Sequence, residues 1–236
     1  MAITLVNSAP YGTNIPGADS TSVTLPIPTG SWAPSDGDMI LHCFGFGVNA
    51  SLNDGTIFVS GGRNWASTVC GCFYYRIFQT GDTDDTITMS VTGRRAYVTF
   101  VIRPTSGFEL HAEFASATAS SGNADPPIVT PSGGTRDYLA VAMAAVDASS
   151  TPNLTAGPSG YSGVTTSGPS GTVGGGTGVI VGADWKFLTG VSSENPGAFT
   201  NTSEQWTAST AMIWETAVAT PGASTSASRF GLLGVG

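Results

Sequence analysis

Lysine occurs once in 236 residues, at Lys186, and charged residues of all kinds make up only 10% of the chain. Eight basic residues stand against sixteen acidic ones, a net charge of −8, and no basic run is longer than Arg94-Arg95. Phosphate neutralisation needs concentrated Lys and Arg, so this balance excludes nucleic acid as a partner. Cysteine is almost as sparse. Cys43, Cys70 and Cys72 are too few and too unevenly spaced for a disulfide framework, which fits a reducing site of synthesis. Long hydrophobic runs are missing too: none approaches the ~18 apolar residues of a membrane span. The start, Met1-Ala2-Ile3-Thr4-Leu5, lacks the basic opening and apolar stretch of an export signal. The expectation is a soluble chain, made without Sec export and not inserted in a membrane.

Strong helix formers are also scarce, whereas Val, Thr, Ile, Phe and Tyr recur in short runs between Gly, Pro, Asn and Asp. With 32 Gly and 14 Pro this composition favours strands and turns. Disorder does not fit 40% hydrophobic residues with 11 Phe and 5 Trp, and the length suffices for a sizeable core without staples. The sequence therefore predicts an all-β fold, an antiparallel jelly-roll-like or lectin-like β sandwich.

Apolar alternation predicts strands at residues 3–6, 22–27, 39–48, 56–59, 67–79, 86–91 and 95–103. In the last of these, Ala96, Val98, Phe100 and Ile102 share one face and Tyr97, Thr99 and Val101 the other, so both faces read as buried. Residues 108–114 form a further strand, and 115–125 read as a small-residue linker ending at Pro126-Pro127. Residues 138–146 are a strand or, less well, an uncapped helix. A glycine-rich loop at 171–178 precedes strands at 179–188 and 207–218.

The same order of features occurs twice. Asp38-Met39-Ile40 and its apolar run match Asp137-Tyr138-Leu139, and the turn at 62–65, ending in Trp65, matches 158–161, ending in Tyr161. The strand from Cys70 to Tyr75-Arg76 matches Ile180 to Trp185-Lys186, and Arg95 to Ile102 matches Gln205 to Met212. Each half has too few strands to cover its own apolar faces. The expectation is one sandwich over 1–218, built from pseudo-repeats at about 22–114 and 126–218, with a C-terminal tail at 219–236.

This order resembles a family of phage-encoded virion structural proteins. The resemblance rests on Met1-Ala2-Ile3, Gly37-Asp38-Met39-Ile40, Asn64-Trp65, Tyr75-Arg76 and the second copy from Asp137, and it covers residues 1 to about 218. Asn64 stands where the family has glycine and Arg76 where it has lysine, and the proline before the turn is missing. The resemblance implies a non-enzymatic virion protein, a head decoration or a tail or fibre accessory, made in the host cytoplasm and released by lysis. Its partners would be other virion proteins and further copies of itself. The alternative is an adhesin or lectin-like module that binds host surface glycans.

Catalytic signals are weak. A hydrolytic triad needs a base beside its nucleophile, and the only histidines, His42 and His111, read as polar residues on partly exposed strand faces. Cys70 and Cys72 with His42 and Cys43 lack the paired spacing of structural zinc and read as core thiols. Asp82, Asp84 and Asp85 form an acidic turn that is a weak calcium candidate, without the later bidentate glutamate. Glu109 with Glu113, or Glu194 with Glu204, would have to be the carboxylates of a glycosidase. No cofactor is expected. Turn-borne aromatics are better candidates, because sugar rings stack on them: Trp32, Trp65 and Tyr161 are the predicted ligand-binding residues. Trp185, Trp206 and Trp214 lie in or beside strands and read as core. The tail ends in Arg229-Phe230-Gly231-Leu232-Leu233-Gly234-Val235-Gly236, and Phe230, Leu232 and Leu233 are expected to make an assembly contact.

Overall fold

The computed structural model describes residues 3–6, 11–13, 20–47, 52–53, 59–65, 68–147, 154–165 and 178–218. Apart from a three-residue 3-10 turn at Gly30–Trp32, their regular structure is all strand. The first half supplies β1 (Thr4–Leu5), β2 (Tyr11–Thr13), β3 (Ser20–Leu25), β4 (Met39–Phe46), β5 (Leu52–Asn53), β6 (Val59–Trp65), β7 (Cys70–Ile77), β8 (Asp85–Gly93) and β9 (Arg95–Arg103). The second supplies β10 (Phe108–Ala119), β11 (Arg136–Asp147), β12 (Leu154–Ala156), β13 (Ser162–Thr165), β14 (Val179–Val191), β15 (Thr200–Asn201) and β16 (Trp206–Ala217).

The two halves build two antiparallel sheets of matching order. One runs β1-β9-β4-β7-β6, with β2 also on β9, and the other runs β10-β16-β11-β14-β13. They pack face to face through one core: Met39, Leu41, Cys43, Phe73, Val98, Phe100 and Ile102 from the first sheet meet Leu139, Val141, Met143, Ala145, Val181 and Ile213 from the second. Where they come closest, both facing positions of the first sheet are glycine. A Cβ on Gly45 would lie 2.4 Å from the Val181 side chain, and one on Gly71 2.2 Å from Thr207 Oγ1.

The other face of each sheet is covered as well, which is why the central strands are apolar on both sides. The sheet β3-β8-β5 packs Val23, Leu25, Ile87 and Met89 onto Phe44, Phe46, Cys70, Cys72 and Tyr74. In the second half, β12-β15 holds Ala124, Leu154 and Phe199 over Ala142, Ala144, Ile180 and Trp206, and the Val129↔Glu194 bridge sets Val129 over Tyr138, Ala140, Met212 and Trp214. The result is an all-β antiparallel sandwich built from two pseudo-repeats, with an outer layer on each side.

The structure corrects several sequence expectations. Residues 115–119 are no linker: β10 runs on to Ala119 and pairs with β16 along its whole length, because small residues fit between sheet and outer layer. By contrast, residues 138–146 form the strand that the sequence favours, buried on both faces. The repeat register also shifts by one in two of its strands. Met39 pairs with Ile77 and Ile102, and Leu139 with Phe187 and Ile213. Met39 therefore corresponds to Leu139 and Ile102 to Ile213, whereas the sequence match set Met39 on Tyr138 and Ile102 on Met212. A slip of one residue reverses every face, and Tyr138 and Met212 do lie in the outer cluster. The match of Cys70 to Ile180 and Arg76 to Lys186 keeps its register. The tail at 219–236 with Phe230, Leu232 and Leu233, the glycine-rich stretch at 171–177 and the expected strand residues 56–58 lie outside the described residues.

Candidate functional site

The three aromatic candidates are not brought together. Trp32 ends the 3-10 turn before β4, near the pole where β4 begins, and Trp65 ends β6 at the opposite pole. Tyr161 sits on the outer face of the second sheet. Its hydroxyl donates to Glu194 Oε1 at 3.0 Å, and Lys186 Nζ lies 5.4 Å over its ring. Burial and the Glu194 carboxylate push its phenol well above the usual range. Trp206 and Trp214 are buried, as the sequence reading has it, and Trp185 packs half-buried against the inter-sheet core.

His42 differs from its expected place on a partly exposed face. It is 1% exposed, and its Nδ1 lies 2.7 Å from Thr99 Oγ1. Burial, with the Arg76 guanidinium adding repulsion, holds its imidazole down at about 3. His111 stacks on Trp214 at 5.5 Å and bonds Thr216 Oγ1 at 2.7 Å. The Cys43 thiol faces the inter-sheet core, where burial raises its pKa, while Cys70 and Cys72 face the outer cluster.

The acidic turn after Gly81 is engaged by the chain itself. Arg76 Nη2 meets Asp82 Oδ1 at 2.7 Å and Arg76 Nη1 meets Asp85 Oδ2 at 2.5 Å, while the Ile27 amide donates to Asp84 Oδ1 at 2.8 Å. A calcium ion would have to displace that guanidinium. Burial raises the Asp85 carboxyl and its bond to Arg76 opposes the rise. Glu109 and Glu113 are four residues apart along β10, about 13 Å between Cα atoms at strand rise, and each meets its own neighbour, Glu109 with Oε1 3.4 Å from His111 Nε2. Glu113 accepts from the Ser132 hydroxyl and amide. Glu194 is ion-paired with Lys186 at 3.5 Å, whereas Glu204 stands just before β16 at the other pole.

The strongest candidate surface is the pole at which β4, β6, β11 and β13 end and β7, β9, β14 and β16 begin. Asp147 pairs with Val179 there, Val146 with Trp206 and Phe46 with both Cys70 and Arg95. A polar clip ties the two sheets together at this end. Thr68 Oγ1 lies 2.5 Å from Asp147 Oδ2, the Thr68 amide donates to Gln205 Oε1 at 2.9 Å, and the Asp147 amide donates to the Gln205 carbonyl at 2.9 Å. The connections leaving these strands, 48–51, 66–67, 148–153 and 166–177, all start from this clipped frame.

The opposite pole holds an open cleft of about 440 Å³, lined by Ser35, Asp38, Arg103, Thr105 and Phe108 among others. Asp38 is 1% exposed and accepts from Arg103 Nε at 3.0 Å and Nη2 at 2.6 Å, and its Oδ2 also accepts the Ser35 amide at 2.8 Å. Glu215 accepts the Thr105 amide and hydroxyl at 2.7 and 2.8 Å. These contacts fix the link between the halves.

One ionisable group escaped the sequence reading altogether. Asp184 is 4% exposed, and its Oδ1 has no hydrogen-bond partner. Its carboxyl lies against two glycines: a Cβ on Gly157 would fall 1.2 Å from Oδ2, and one on Gly163 1.8 Å from Oδ1. Burial raises its pKa to about 6. The available signal was a lone acid inside the apolar run of β14. No family model, curated protein or solved structure matches this chain.

Proposed function

We propose that the protein is a non-enzymatic structural component of a bacteriophage virion, a head decoration or a tail or fibre accessory that presents strand connections at one pole. The observation that carries this reading is the duplicated strand order fused through a single core, with those connections leaving one clipped end. Binding segments carried on a rigid scaffold are a general way to meet a partner surface. The side chains with chemical potential support a scaffold role as well: Arg76, Asp38, Arg103, Glu194, Glu215 and His42 are each engaged in a contact that fastens two elements.

The alternative, a glycan-binding adhesin, draws on Trp65, the predicted aromatic that ends a strand at the loop-bearing pole. Copy number in purified particles separates the readings. On the order of hundreds of copies per particle, measured against the major capsid protein, means head decoration, and a few to some tens means a tail or fibre role. Absence from particles overturns the virion reading, and glycan binding lost on Trp65→Ala then establishes the adhesin.

A further inference from the structure

The pole with the cleft is also where the sandwich is least closed. Ile77 at the end of β7 and Phe187 near the end of β14 occupy equivalent positions, since they pair with Met39 and Leu139. Both point into the space between the sheets, yet they are 38% and 40% exposed. Phe108 at the start of β10, on the same face as Leu110, is 37% exposed and forms the apolar wall of the cleft. Three large apolar side chains at this end of the core are thus left partly exposed.

We propose that residues 229–236 dock in cis on this rim, Phe230 and the Leu232-Leu233 pair covering Ile77, Phe108 and Phe187. The chain leaves the described structure beside the rim, because the Val218 amide donates to the Gly107 carbonyl at 2.9 Å, and Gly107 lines the cleft. The stretch from Ala219 to Ser228 is a tether of ten small or proline residues without charge, which reaches at most about 33 Å. From β10 across β16 and β11 to β14 is about 15 Å at ordinary strand spacing, so the tether spans the rim with slack. The other pole lies a whole β16 away, about 40 Å, which the twelve residues from Val218 to Phe230 would cover only when fully extended.

Composition matches the surface. Residues 229–236 carry four large or branched apolar side chains and one charge, Arg229, and the cleft carries the exposed carboxylate of Asp36. The tether also sets the choice of copy. A short flexible link gives an effective concentration on the order of millimolar, which outcompetes a second chain at micromolar concentration. Docking closes the sandwich at this end and leaves the clipped pole as the face free to meet a partner. The proposal stands whether or not the protein belongs to a virion.

Engineered thiols test it in the full chain, because the native Cys43, Cys70 and Cys72 have no exposed surface. Ser106→Cys in the cleft with Leu232→Cys is compared with Ser192→Cys, exposed on the outer side of the same pole, with Leu232→Cys. Under mild oxidation the first pair is expected to close within the monomer at least ~5-fold faster than the second, at a rate unchanged on dilution. Adding Phe230→Ser is expected to bring the first pair down to the second. Equal rates, or disulfide-linked dimers that vanish on dilution, overturn docking in cis. Hydrogen exchange is the second measurement: protection at 105–110 is expected to fall in a chain ending at 218, and unchanged protection overturns the proposal.

Discussion

Tyr74 and Asp184 stand at the same place in the two sheets. Each lies two residues before the base of its strand, Arg76 or Lys186, and each faces the outer layer. Tyr74 packs edge-on against Phe44 at 6.1 Å, whereas Asp184 puts a carboxyl with an unpartnered oxygen into the corresponding layer of the second half, and needs two glycines to make room. The second repeat therefore carries a destabilising acid where the first carries an aromatic.

Replacing that acid by its neutral isostere is expected to stabilise the protein at neutral pH. The folded pKa of about 6 lies above the usual carboxyl value of 3.8. The contribution of Asp184 to stability is thus fully present below about pH 4 and is lost as pH rises through 6. Asp184→Asn is expected to raise stability by about 1–3 kcal/mol at pH 7.5 and to change it little at pH 4. Denaturant unfolding at the two pH values measures this, and equal effects at both would contradict it.

His42 has the opposite sign. Its folded pKa of about 3 lies below the ordinary 6.5, so its contribution is complete above pH 6.5 and is lost as pH falls towards 3. In the native chain the two groups offset each other between pH 4 and 6. In Asp184→Asn the His42 slope is no longer opposed by Asp184, and stability is expected to rise by some 1–3 kcal/mol from pH 4 to 6.5. Adding His42→Leu with Thr99→Val is expected to flatten that rise, which the same titration reads directly.

Arg76 and Lys186 explain why each copy of the repeat ends its strand in an aromatic followed by a base. Arg76 fastens Asp85 of β8, and Lys186 fastens Glu194 beside the Val129 bridge, so in each half the base pins the outer layer to its sheet. The first pair is buried, at 9% and 5% exposure, and the second is more open. Arg76→Met is expected to cost about 3–5 kcal/mol by leaving Asp85 uncompensated, and Arg76→Met with Asp85→Leu clearly less. Lys186→Met is expected to cost under about 1 kcal/mol. Thermal or denaturant unfolding of the three variants gives the ranking.

Much of this fold is legible in the sequence, because alternation, turn residues and repeat order are local signals. The strands from Met39, Cys70 and Arg95 and their counterparts follow from them. Register is not local. Setting Met39 on Tyr138 looked right because both follow an aspartate, yet faces are set by what each strand packs against, and only the assembled sheets show Met39 and Leu139 sharing a core. The extension of β10 through Ala115 to Ala119 was hidden because small residues look like a linker until a layer above demands them. His42 reads as a polar interruption when its partner Thr99 is 57 residues away. The candidate aromatics failed to converge for a similar reason: Trp32, Trp65 and Tyr161 share a kind of position in sequence but lie at different ends and faces of the sandwich.

The account turns on two halves sharing one core, and separating them tests this most directly. Cut in the link between Arg103 and Phe108, residues 1–106 would expose Leu41, Phe73, Val98 and Phe100, and residues 107–218 would expose Leu139, Val141 and Ile213. Each half expressed alone is expected to lack a cooperative unfolding transition, and mixing the two is expected to restore one with a one-to-one complex. A half that unfolds cooperatively as a monomer on its own would contradict the shared core.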